Sequence, residues 1–235
     1  MTAAATTVTA RPLRVPALVG GLGILVLAVL SGWANFGVVE ALVTDGDAAR
    51  TATDILAGAT RFRFGVVALV LTALLDIVVG WALWAFFAPV RPAAAAVGGA
   101  LRAVYGVVFL VAIAQLASAL DVLTSAATVT TQVQLEALHR IENFHLVWDA
   151  GLALFALHLL ITGYLVLRTD FAPRLLGWLL VLAGMGYLVD SGVALLAPGA
   201  IPELALVTFV GEVWLFVWLL VKGRQLTVDT GKADR

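Results

Sequence analysis

The sequence predicts an all-α protein: a polytopic membrane helical bundle of six transmembrane helices, with both termini cytoplasmic. Three observations carry that prediction. Of the 235 residues, 62% are hydrophobic and 12% charged, whereas a soluble domain carries about a quarter charged residues to solvate its surface. The apolar residues run on continuously for helix-length stretches. Lys and Arg fall unevenly between alternate loops.

A hydrocarbon core about 30 Å thick takes about 20 residues at 1.5 Å each. Six segments reach that length: Val15–Val39, Phe64–Ala88, Leu101–Leu123, Phe144–Leu167, Leu175–Ala197 and Leu204–Val221. They must be helical, because lipid satisfies no backbone hydrogen bond and a barrel would show short alternating strands. Arg11 and Arg14 precede the first segment as a signal peptide's basic region would. Its run to Leu30 is long, however, and Gly32-Trp33-Ala34 makes a poor cleavage site, so a retained helix is expected. The second segment stops at Phe87-Ala88-Pro89-Val90-Arg91-Pro92 and the fourth at Phe171-Ala172-Pro173-Arg174, where proline breaks the helical ladder. Pro198-Gly199 and Pro202 bracket the fifth-to-sixth connection. The two long connections, 44–62 and 124–142, are candidates for short interfacial helices. Residues 1–14 and 223–235 are then tails, and 15–222 form the transmembrane domain.

Orientation follows from the basic residues. With the N-terminus inside, the cytoplasmic side holds Arg11, Arg14, Arg91, Arg102, Arg168, Arg174, Lys222, Arg224, Lys232 and Arg235. The outside holds Arg50, Arg61, Arg63 and Arg140. A faint repeat is also visible. Gly80-Trp81-Ala82-Leu83 precedes Phe87-Ala88-Pro89, and Gly163-Tyr164-Leu165-Val166 precedes Phe171-Ala172-Pro173. Parallel helical hairpins of common origin, or a shared helix stop, each account for it.

Ionisable residues within a span cost about 2.5–3.5 kcal/mol each and normally face the bundle interior. Asp76, Arg102, His158, Asp190 and Glu212 are therefore the candidate ligand- or proton-binding groups. Depth counted from the cytoplasmic helix ends puts His158 and Glu212 near mid-membrane and Asp76 slightly above. Asp190, Asp149, His145 and Asp121 fall in the outer third, which reads as a polar interior open toward the outside. His145 and Asp149 are four residues apart on one helix face. They are candidate metal ligands, provided that Asp190, Asp121 or Glu212 converges on them, with a simple His–Asp pair as the plainer reading. His158 lies about 140° round the helix from His145, so the two histidines are expected in separate environments. Arg102, read at the start of the third span, either snorkels to lipid phosphates or pairs with Glu212 or Asp76. Glycines such as Gly98, Gly99, Gly177 and Gly184 suit close helix contact, and the tryptophans suit interfacial anchoring. No cofactor-binding motif is present, the net charge of −1 suggests no nucleic-acid partner, and the absence of Cys excludes disulfides and thiolate chemistry.

Several stretches are also familiar as a set. They are Gly46-Asp47-Ala48-Ala49 with Thr51-Ala52 and Ile55, Arg61-Phe62-Arg63, and Ala100-Leu101-Arg102. Phe155-Ala156-Leu157-His158-Leu159-Leu160, Pro173-Arg174-Leu175-Leu176-Gly177 and Trp218-Leu219-Leu220-Val221-Lys222-Gly223 continue the set. Together, from about Val15 to Gly223, the chain resembles an uncharacterised bacterial membrane family, domain of unknown function 4386. The resemblance implies a six-helix membrane protein and supplies no activity or ligand. One departure is Ala156, where the family usually has glycine before the histidine.

Three readings of function remain open. The first is a multi-pass protein of the cell membrane whose polar interior binds or transports a small solute, ion or proton. The second is an accessory protein whose buried polar groups only hold helices together. The third is an intramembrane metal-dependent hydrolase using His145, Asp149 and Asp190. Membrane lipid is the expected partner in each.

Overall fold

A computed structural model describes residues 10–197 and 204–229. A short strand β1, Ala10–Pro12, leads into helix α1, Arg14–Ala34. That helix continues through a π-helical turn at Asn35–Val39 and a last turn, α2, at Glu40–Leu42. The 44–62 connection contains the expected separate helix, α3, at Ala48–Ala57. Asp47 caps it by accepting the Arg50 backbone N–H, which satisfies one of the orphan donors of a helix start. Thr51 ties its loop down by exchanging hydrogen bonds with the backbone of Thr44. Helix α4, Ala59–Phe87, then crosses back.

Helix α5 spans Pro92–Ser125 and α6 spans Thr131–Leu167. At 34 and 37 residues they run about 51 and 55 Å, longer than a bilayer core requires. Two expectations change here. The third span begins at Pro92 rather than Leu101: Pro sits at its first turn, where no N–H is needed, and the alanine run that follows has high helix propensity. The 124–142 connection forms no separate interfacial helix, because from Thr131 onward it is the first part of α6. Thr130 caps that helix start by accepting the Val133 N–H.

Helix α7, Arg174–Leu196, completes a set of five helices long and apolar enough to cross a membrane. The sixth expected segment is broken into α8, Leu204–Thr208, and α9, Val210–Val221, with an interruption at Phe209. Pro198, Gly199 and Pro202 lie outside the described residues. A second strand, β2, at Thr227–Asp229 pairs antiparallel with β1, placing Arg11 opposite Val228. This ribbon is an addition to the all-helical expectation. Because β1 runs directly into α1 and β2 follows α9 closely, it holds the two ends of the described chain side by side at one end of the bundle.

Consecutive long helices pack on one another, and α9 packs on both α7 and α1, so the helices close into a ring. Val104, Val107 and Val111 on α5 and Leu182 and Met185 on α7 face outward and exposed, as a lipid-facing surface requires. The core holds Phe62, Phe86, Phe109, Phe144 and Leu116, all fully buried.

The two hairpins α4–α5 and α6–α7 share a construction. A Cβ on Gly80 would lie 2.7 Å from the Gly99 carbonyl oxygen, and one on Gly99 equally close to that of Gly80. In the second hairpin Gly163 and Gly177 face each other in the same reciprocal way, at 2.8 and 3.1 Å. These contacts involve the glycines at the head of each half of the sequence repeat, Gly80 and Gly163. They let backbones touch where any side chain would separate them.

Candidate functional site

The α4–α5 contact sets the geometry of the polar interior. Gly99 and Gly106 flank Arg102 on the face of α5 that meets α4. A Cβ on Gly106 would strike the Ala73 carbonyl at 2.7 Å. With the helices this close, Arg102 Nη2 lies 2.7 Å from Asp76 Oδ1, and both side chains are almost completely buried. Arg102 is thus neither at a helix start nor snorkelling to a phosphate. It sits ten residues into α5, about 15 Å from the helix end.

Its second guanidinium nitrogen, Nη1, is 3.3 Å from His158 Nε2 on α6. The other ring nitrogen, Nδ1, is 2.8 Å from the Gly98 carbonyl oxygen. A carbonyl only accepts, so Nδ1 carries the proton and Nε2 offers its lone pair to Arg102: the imidazole is held neutral in one tautomer. Thr162, one turn beyond on α6, donates to the His158 carbonyl at 2.9 Å. The face of Phe155 covers the guanidinium with its centroid 5.0 Å away, a cation–π contact. Arg102 therefore divides its fork between a carboxylate and an imidazole rather than gripping one carboxylate with both arms. Toward Asp76 the contact is an ion pair and not an aligned hydrogen bond, and Nε has no hydrogen-bond partner among the described residues.

Glu212 on α9 enters the same field. Its carboxyl group interacts electrostatically with both Arg102 and Asp76 and is set against the Tyr187 hydroxyl of α7. Its Oε1 is buried without a hydrogen-bond partner among the described residues. Asp76, Arg102, His158 and Glu212 come from α4, α5, α6 and α9, each about 14–17 Å from the helix end nearer the termini. Four helices thus deliver four ionisable groups to one level.

Asp190 does not join them. It accepts the backbone N–H of Leu204 at 3.1 Å, at the start of α8. His145 and Asp149 also lie apart, toward the opposite end of the bundle. His145 packs against Phe144 and Trp148, which keeps the two α6 histidines in separate environments as their helical spacing requires. Among the described residues no three His, Asp or Glu side chains are placed to hold a metal ion. The His145, Asp149 and Asp190 combination considered for a hydrolase is therefore not a metal-binding constellation here.

On the side of the far end, aromatic side chains pack above the cluster. Tyr105 stacks on Phe109 at 5.8 Å and meets Phe155 at 5.1 Å. Phe155 packs edge-on to Tyr187 at 5.2 Å. Trp148 stacks on Phe109 and donates its indole N–H to the Tyr105 hydroxyl at 3.0 Å. In the sequence nothing marks Tyr105, Tyr187 or Thr162 for this role, and Phe155 and Gly98 stand out only in a family stretch and as a helix-contact glycine. The spacing Gly98–Arg102 and His158–Thr162, four residues in each case, was the available signal.

Comparison with known proteins adds kinship without activity. The family described as Domain of unknown function (DUF4386) matches residues 19–223. An uncharacterized protein of Archaeoglobus fulgidus is 29% identical over 164 residues, covering 70% of this chain and 86% of that one. That relative is archaeal, where the resemblance implied a bacterial family. No solved structure matches the chain.

Proposed function

The chain belongs to the DUF4386 family, and from that premise we propose that it is a six-span protein of the cell membrane that binds and conveys a proton through its interior. Support for six spans comes from the terminal ribbon. Two paired ends at one end of the bundle fit an even number of crossings, and α8 with α9 is the candidate for the sixth beside the five long helices. The Lys/Arg bias puts that end in the cytoplasm.

The proton assignment rests on one observation: a second buried carboxylate, Glu212, lies at the level of the Asp76–Arg102 pair with no ion-pair partner of its own among the described residues. With His158 neutral, an ionised Asp76 and an ionised Glu212 against Arg102 leave one uncompensated negative charge. A bundle surrounded by lipid does not hold such a charge cheaply. One proton on the cluster removes it. Asp76 lies in an ion pair with the guanidinium, whereas Glu212 has no ion-pair partner among the described residues, so Glu212 is the residue that takes and gives up that proton. Infrared difference spectroscopy of the protein in liposomes, stepped across pH, tests this. The wild type should show a protonated-carboxyl C=O band that Glu212→Gln removes, together with pH-gradient-driven proton uptake that the same variant abolishes. Identical spectra and uptake for the two proteins overturn the assignment.

The accessory reading draws support from the same residues, since Asp76, Arg102 and His158 tie α4, α5 and α6 into one bonded unit. It expects Glu212→Gln to leave every transport readout unchanged.

A further inference from the structure

We propose that the protein carries a phospholipid site at the end of the bundle opposite the termini, independent of the buried charge cluster. An open cleft of about 840 Å³ lies beneath the junction of α3 and α4. Its walls are mostly apolar: Trp33 of α1, Leu56 of α3, and Phe64, Val67 and Leu71 along α4. All five side chains are exposed, and among the described residues nothing covers them.

One cation stands in this cleft. Arg61 lines it near the start of α4, and its guanidinium donates to the Gly37 carbonyl inside the π-helical turn of α1. Of the other three arginines of the same end, Arg50 and Arg140 are paired on their own helices by Asp54 and Glu136, and Arg63, two residues along α4, does not line the cleft. Among the described residues no carboxylate pairs with Arg61. A guanidinium has five donors and fits phosphate oxygens well, so Arg61 is oriented by one backbone bond and left with charge to satisfy.

Distance identifies the ligand class. From Arg61 to Leu71 is ten residues of α4, about 15 Å along the axis. That is half of a hydrocarbon core about 30 Å thick, the depth of one leaflet. A glycerophospholipid matches both features. Its phosphate rests on Arg61, and one acyl chain lies down the cleft over Phe64, Val67 and Leu71 toward mid-membrane. The π-helical turn gives the site its rigidity, because Arg61 is anchored to α1 rather than free to follow its rotamers.

The test uses the full-length protein purified in detergent, with native mass spectrometry and thermal melting as readouts. Dioleoylphosphatidylglycerol is the probe, with dioleoylglycerol and glycerol 3-phosphate as its two halves. The wild type should retain one phosphatidylglycerol and melt higher in its presence, and neither half should reproduce this. Val67→Trp fills the cleft from an exposed position, and Arg61→Gln removes the cation. Each should lower lipid retention roughly tenfold, a loss of about 1.4 kcal/mol, and Val67→Trp should leave the lipid-free melting temperature unchanged. Retention equal to wild type in both variants means only unspecific annular lipid and overturns the site. A response to glycerol 3-phosphate alone, undiminished in Val67→Trp, means a free-anion site and overturns it equally.

Discussion

Replacing Arg102 probes the interior most directly. The guanidinium is buried, 2.7 Å from Asp76 and 3.3 Å from His158, and Phe155 covers its face. Removing one partner of a buried ion pair typically costs about 3–5 kcal/mol, because the other charge is left uncompensated. Arg102→Ala should therefore lower the detergent melting temperature by roughly 6–20 °C, at about 2–4 °C per kcal/mol for a chain of this size. Arg102→Lys keeps the charge toward Asp76, but a point ammonium does not bridge to His158 as a planar fork does. It leaves a buried acceptor unpaired, at about 1–3 kcal/mol, and should melt between the two. A double-mutant cycle completes the argument. Arg102→Met with Asp76→Leu replaces the pair by apolar groups of similar volume, so the double variant should melt above either single one. Two results refute the reasoning: Arg102→Lys melting with the wild type, or strict additivity of Arg102→Met and Asp76→Leu. Either shows that the charges do not depend on each other.

Two further predictions concern the frame around the cluster. Because the protein has no cysteine, single Cys substitutions at Asp54, Arg91, Gln134 and Arg174 report sidedness on an otherwise unreactive chain. In intact cells a membrane-impermeant maleimide should label the first and third and spare the other two, and the reverse pattern contradicts the proposed orientation. Gly99→Val places a side chain where a Cβ alone would be 2.7 Å from the Gly80 carbonyl. Overpacking of this kind costs about 1–3 kcal/mol, so the variant should melt lower and lose the Asp76–Arg102 coupling seen in the double-mutant cycle. Unchanged melting and coupling would mean that α4 and α5 do not need this contact.

The sequence by itself determined the long apolar helical segments of the fold and the ionisable residues they carry. Lipid accepts only long apolar helices, and it expels Asp76, Arg102, His158 and Glu212 from its surface wherever they fall in a span. Helical spacing also separated His145 from His158 without any coordinates, since rotation per residue is a property of the single helix. What the tertiary structure decided is everything that depends on how one helix is turned and pressed against another. Asp76 and Glu212 are equal candidates for Arg102 along the chain. Asp76 makes the contact because Gly99 and Gly106 let α5 close onto α4 at that level. Alanines 93–96 precede the third segment as bounded at Leu101, yet they are helix, and that difference moved Arg102 from the start of the helix to ten residues within it. Strands β1 and β2 lie more than two hundred residues apart, and two three-residue segments carry no sign of each other until the ring of helices has brought their ends together. The aromatic packing above the cluster was hidden for the same reason. Tyr105, Trp148 and Tyr187 stand on three separate helices, and only the tertiary structure brings them together as one aromatic layer on the far-end side of the cluster.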